Sequence, residues 1–288
     1  MSHAAASRLQ LLAAAFLFST GGAAIKGTAL TGWQVASFRS LAAAVVLAAL
    51  FPAARRWSWR VVVAGLGYAG TLICYVLANK LTTAANAIFL QGTAPLYLLL
   101  LAPWLLRERI RRADLILMLV IAAGMALFFT GRQAPTRIAP DPLLGNVLGA
   151  LSGVCWALTL AGLRWIESGG RAGESGIATV VAGNSLAGLI SLPMAVPVVE
   201  ASAADWLVIA YLGVFQIGLA YICLTRAMRS LPALEASLLM LAEPALNPVW
   251  AWLVHGETPG ALAIAGGALI LAATVLRSML GGASERKM

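Results

Sequence analysis

Apolar runs of 18 or more residues recur along the whole chain, separated by short polar stretches. Runs of that length predict helices that cross a bilayer. Ten such spans can be drawn, over residues 9–29, 33–51, 61–79, 83–105, 113–130, 143–165, 176–197, 206–224, 231–254 and 260–280. Most connections are short, which predicts antiparallel neighbours. The longest expected outer linker is GRQAPTRIAPDP at 131–142, rich in proline and carrying both charge signs. It divides the chain into an N-terminal unit at 1–130 and a C-terminal unit at 143–288, each of five spans.

Composition agrees with this pattern. Of 288 residues, 61% are hydrophobic and 11% charged, and the mean hydropathy is +0.88. A soluble domain would carry charge on roughly a quarter of its residues. The fold class is therefore an all-α membrane protein. The formal charge of +9 would otherwise point to nucleic acid. Here the topology places Lys26, Arg39, Lys80, Arg132 and Arg137 on one side and the other fifteen of the 20 basic residues opposite. The basic side faces the cytoplasm, and ten spans put both termini there. No nucleic acid partner is expected, and the lipid bilayer accounts for the charge. Cys74, Cys155 and Cys223 fall inside apolar runs without a CxxC pair. They read as small core residues, so no disulfide or metal site is expected. Arg8 and the apolar run after it imitate a signal peptide, but the run passes Gly22 without a polar cleavage region. It is read as a retained first span.

The two units resemble each other. Pro95 stands thirteen residues before Glu108, and Pro244 thirteen before Glu257, so one offset of 149 aligns both pairs. An offset of 146 sets Tyr75 on Tyr221 and Lys80 on Arg226. Five spans per unit is odd, so the units enter the membrane from opposite sides. The expected architecture is two inverted five-helix repeats around a central cavity, with the substrate site at their interface. Channels and enzymes seldom need such symmetry, and transport is favoured.

The Pro…Glu spacing ending each fourth span, the Glu-Pro of the ninth and the two five-span halves resemble the EamA-type branch of the drug/metabolite transporter superfamily. The resemblance covers residues 9–280. In detail the chain looks like the YddG-like aromatic amino acid exporters of bacterial inner membranes. The resemblance implies export of amino acids or related amphiphilic metabolites, across the inner membrane, through a cavity lined by ten helices.

Candidate site residues follow from polar groups inside apolar spans, which face protein or water because lipid offers no hydrogen-bond partner. In the ninth span Glu243, Asn247 and Trp250 share one helix face. Glu243 would recognise a substrate ammonium or exchange a proton; the plainer reading is a cap for the backbone broken at Pro244. Tyr68, Thr71, Tyr75 and Asn79 form a stripe in the third span, and tyrosines there suit aromatic or long apolar cargo. Asn86, Thr93 and Tyr97 form another in the fourth, with Gln91 off it. Ser152, Trp156 and Thr159 do so in the sixth, and Gln216 lies midway along the eighth. Packing between helices is the plain alternative for each stripe. The residues expected to bind substrate are Glu243, Asn247, Trp250, Trp156, Tyr75, Asn79, Tyr97 and Gln216.

Lys26, Arg39 and Lys80 are expected to snorkel to the interface, with Lys26 alternatively meeting a substrate carboxylate. Glu108 and Glu257, at span ends, read as loop caps or gate contacts. Gly145, Gly149 and Gly153 make two overlapping GxxxG steps, assigned to packing inside one subunit, which is expected to act as a monomer. No Walker A sequence is present, so coupling falls to an ion gradient, with protons the candidate ion, or transport runs downhill. No cofactor is expected. A membrane-embedded enzyme is disfavoured, because HExxH and GxSxG are absent and His3 and His255 fall on opposite sides. A nucleotide sugar would call for basic groups in the cavity, and none is expected at mid-depth. Within transport the rival is a cationic drug or metabolite, which suits Glu243 among aromatics.

Overall fold

In a bilayer a backbone N–H or C=O finds no water, so each apolar run must bond within itself. The computed structural model describes residues 3–105, 112–130, 135–168, 175–227, 239–240 and 242–285, and these are helical throughout apart from short connections. In chain order the helices are α1 (His3–Ser19), α2 (Gly21–Lys26), α3 (Gly32–Leu50), α4 (Trp59–Leu81), α5 (Ala84–Gln91), α6 (Ala94–Leu105) and α7 (Arg112–Thr130). They continue as α8 (Pro142–Ser168), α9 (Gly176–Ala195), α10 (Ala203–Ala210), a π segment (Tyr211–Leu219), α11 (Ala220–Ala227), α12 (Ala242–His255) and α13 (Ala261–Glu285). Among the described residues, six stretches are long and apolar enough to cross a membrane: Ala5–Lys26, Gly32–Leu50, Trp59–Leu81, Pro142–Leu163, Gly176–Ala195 and Ala203–Leu224. Shorter apolar helices lie at Leu115–Thr130 and Ala261–Ala273.

Helix starts are set by side chains that accept from otherwise orphaned N–H groups. Thr31 caps α3 in a reciprocal box with Gln34, and Ser202 caps α10 in the same way with Asp205. Ser58, Thr83 and Ser175 cap α4, α5 and α9.

Several predicted spans are broken. The first turns at Thr20, between α1 and α2, where the Ser19 and Thr20 hydroxyls donate to carbonyls one turn back and Gly21 and Gly22 follow. Side-chain insertion beside a glycine pair is a recognised cause of a kink. The fourth breaks between Gln91 and Ala94, just before Pro95. The eighth carries the π segment, a wider turn often found where side chains are re-aimed at a site. In the ninth, Glu243 lies in the first turn of α12 with Pro244 beside it, and Pro248 is the proline inside the helix. The predicted start of that span, 231–238, and Glu108 lie outside the described residues.

Lipid removes the hydrophobic drive between helices, so close packing and buried hydrogen bonds must hold the bundle together. Helices from the two predicted units interleave: α4 lies along α8 and α9, α3 along α9 and the π segment, α1 along α11 and α12, and α7 along α13. Glycine permits the nearest approaches. A Cβ on Gly145 would stand 2.6 Å from Thr82 N, and one on Gly153 would stand 2.9 Å from the Leu90 carbonyl. The GxxxG face of α8 is thus used within the chain, against the end of α4 and against α5.

Candidate functional site

Where α1, α3, α4, α5, α8, the π segment, α11 and α12 converge, they leave a cavity of about 230 Å³. Its wall includes Phe18, Arg39, Tyr68, Thr71, Tyr75, Gln91, Trp156, Gln216, Tyr221 and Glu243. A second hollow of about 180 Å³ shares Ile88, Gly92, Trp156 and Pro244 with it and is walled mainly by apolar groups, among them Phe89, Pro95 and Ile270.

The structure sorts the sequence candidates into two groups. Glu243, Trp156, Tyr75 and Gln216 line the cavity. Gln216 Nε2 reaches the Phe18 carbonyl at 3.4 Å, while its Oε1 is buried without a partner. The Tyr68 ring packs on Trp156 (6.4 Å between centroids) and edge-on to Tyr221 (5.8 Å), giving an aromatic wall.

Asn247, Trp250, Asn79 and Tyr97 are not in that wall. Asn247 is fully buried behind it and donates to the Tyr75 hydroxyl at 3.1 Å. Asn79 Nδ2 donates to the Tyr75 carbonyl at 3.0 Å. These two asparagines therefore hold the hydroxyl and the backbone of a wall residue. Trp250 donates to Ser19 Oγ at 2.9 Å and meets Phe16 edge-on, which ties α12 to the end of α1. The Tyr97 hydroxyl points to Met125 Sδ at 3.4 Å.

In the fourth span the expected stripe is interrupted. The stripe Asn86, Thr93 and Tyr97 crosses the break after Gln91, and its members turn toward α8 and α7: Asn86 donates to Asn146 Oδ1 at 3.0 Å, and Gly153 approaches Thr93 and Tyr97. The off-stripe Gln91 is the one that lines the cavity. In the sixth span, Ser152 and Thr159 bond to Thr71, its carbonyl and its hydroxyl respectively, both at 3.3 Å.

The largest omission was Arg39. Expected to snorkel, it is instead 1% exposed and lines the cavity. Its Nη2 reaches the Leu72 carbonyl at 3.4 Å, and its Nε is buried without a partner. The expectation of no basic group in the cavity is thereby corrected. The sequence signal was slight: an arginine six residues into an apolar span.

The other cations also stay inside the protein. Lys26 donates to the carbonyls of Thr82 (2.7 Å) and Ile138 (2.6 Å) and lies 3.4 Å from Glu257 Oε2. Glu257 Oε1 accepts from Ala84 N, the first residue of α5. Lys80 donates to the Thr28 carbonyl at 2.7 Å, and Asp205 accepts from Ala29 N at 2.7 Å. Lys26 thus answers carbonyls at the α4–α5 junction and at Ile138. Around it, α2, the α4–α5 junction, the linker and the end of α12 are drawn into one polar seal, which we call the linker end.

Comparison with known proteins supplies the family context. Residues 7–130 and 143–279 match the EamA-like transporter family. The pseudopaline exporter CntI of Pseudomonas aeruginosa is 28% identical over 274 residues, covering 92% of this chain and 93% of that protein. The threonine/homoserine exporter RhtA of Escherichia coli K12 is 29% identical over 204 residues, 67% of this chain and 62% of its own. A solved crystal structure superposes with a TM-score of 0.62 at 23% identity, over 96% of this chain and 97% of the other, a likeness of fold.

Proposed function

Because the chain belongs to the EamA-like transporter family, we propose that it exports amino acids or closely related amphiphilic metabolites across the bacterial inner membrane by alternating access. The observation that carries this reading is the cavity itself. Helices of both predicted units wall it, and it gathers Glu243, Gln216, Gln91 and five aromatic residues into one space. Buried polar groups without protein partners, such as Gln216 Oε1, are costly unless a ligand or water answers them. The adjoining apolar hollow suits the side chain of an amphiphilic cargo. The named relatives export an amino acid pair and pseudopaline, which favours export over uptake.

The proposed architecture is two inverted five-helix repeats, 1–130 and 143–288, joined by the 131–142 linker. Three observations support it. The family matches on either side of that linker. Tyr75 and Tyr221, paired by the repeat offset, both line the cavity. The packing of α4 on α8 has its counterpart in α11 on α1, the exchange an in-plane pseudo-two-fold axis would produce. We place both termini in the cytoplasm on the distribution of basic residues, with the chain acting as a monomer. Glu243 is the candidate group for proton coupling.

The test is uptake and counterflow of labelled amino acids in proteoliposomes, with and without a pH gradient. Saturable counterflow of an amino acid is expected. If lipophilic cations move and amino acids neither move nor compete, the reading yields to cationic drug export, which Glu243 among aromatics would serve.

A further inference from the structure

One cation and one carboxylate face the cavity without meeting. Arg39 from α3 and Glu243 from α12 both line it, and no ion pair joins them. Tyr68, Tyr75 and Tyr221 line the same cavity. A Cβ on Gly213 of the π segment would stand 2.9 Å from the Arg39 carbonyl, so the segment packs close against the backbone there. A guanidinium so deeply buried is costly unless an anion answers it. The bond from Nη2 to the Leu72 carbonyl is long and made to a neutral group, and Nε is left unanswered. Tyrosine hydroxyls solvate a charge but do not neutralise it.

We propose that Arg39 and Glu243 together form a bipolar head-group site. The guanidinium takes the carboxylate of an α-amino acid, the Glu243 carboxylate takes its ammonium, and Tyr68, Tyr75 and Tyr221 wall the space around the head group. A fork of N–H donors matches a carboxylate in geometry as well as charge. A ligand with both charges satisfies both walls at once. One carrying a single charge leaves the opposite wall buried and unpaired, so the site selects zwitterions over simple amines and simple acids. This assignment rests on the amino acid transport reading and narrows it: it explains how one cavity favours amino acids over both lipophilic cations and polyanions.

The experiment is counterflow of labelled L-phenylalanine and L-threonine in proteoliposomes of the wild-type chain, with unlabelled competitors. Phenylethylamine keeps the ammonium and lacks the carboxylate; N-acetyl-L-phenylalanine keeps the carboxylate and lacks the ammonium. Each is expected to compete at least tenfold more weakly than phenylalanine. Arg39→Gln should raise competition by phenylethylamine relative to phenylalanine, Glu243→Gln should do so for the N-acetyl compound, and Arg39→Lys should keep the wild-type order. These opposite shifts are a signature that damage to the fold does not produce, and should Arg39→Gln fail to fold, the wild-type competition decides. Equal competition by either singly charged analogue, with amino acid counterflow intact, overturns the bipolar site and leaves the exporter reading standing. Absence of any amino acid counterflow removes the exporter reading and the site with it.

Discussion

Two of the places where this molecule buries charge treat it differently. At the linker end Lys26, Lys80, Asp205 and Glu257 each find a protein partner, through backbone carbonyls, helix N–H groups or the Lys26–Glu257 pair. At the cavity Arg39 and Glu243 face a shared space and no ion pair joins them. The difference teaches how to tell a structural charge from one kept for a ligand. A charge that caps chain ends and joins several segments closes the fold, whereas one left facing a void is, in the function proposed above, kept for a ligand.

The sharpest way to break this comparison is to remove one partner of the seal. Lys26→Met leaves Glu257 buried without its counter-charge, which should cost about 3–5 kcal/mol of stability. Equilibrium unfolding in mixed detergents measures it. The double variant Lys26→Met/Glu257→Gln should recover most of that loss; if it does not, the pair is not the source of the stability. A smaller effect is expected from Gly183→Ala, whose new methyl would stand 2.6 Å from Tyr68 Cδ1 and 3.0 Å from the Gly65 carbonyl. Overpacking of this kind costs about 1–3 kcal/mol. Because Tyr68 is a wall residue, transport should fall with it, and Gly183→Ala with normal transport would show that the wall tolerates displacement.

Glu243→Gln carries the comparison to the other region. It should lower amino acid transport about tenfold, equivalent to about 1.4 kcal/mol, while insertion and unfolding change little. Full transport across a range of pH in vesicles would take Glu243 out of the mechanism. The smallest effect is expected at Trp250, outside the cavity wall. Trp250→Phe removes the bond to Ser19, about 1 kcal/mol of stability, and leaves the substrate concentration dependence of transport unchanged. A shift in that dependence would place Trp250 in contact with cargo.

The cavity wall was legible in the sequence to different depths. Glu243, Trp156, Tyr75 and Gln216 could be found because each is polar or aromatic deep within an apolar run, and lipid gives such groups nowhere else to turn. Asn247 and Asn79 share that signature, yet they bond to Tyr75 from behind, since one face of a helix does not say which neighbour it meets. Tyr97 and Gln91 exchanged roles across the break before Pro95, which no regular period survives.

By itself the sequence determined that the chain is helical and built for a bilayer, and where its apolar spans lie, because hydrocarbon imposes one rule on every residue it touches. The overturned expectations for Lys26 and Arg39 show what the sequence could not decide. Both sit near predicted span ends, where one dimension offers only the interface, and their fate depended on which carbonyls, carboxylates or voids other helices brought within reach. Only tertiary packing, with glycines letting backbones close to contact, decided that one cation would join the linker end and the other would face the cavity.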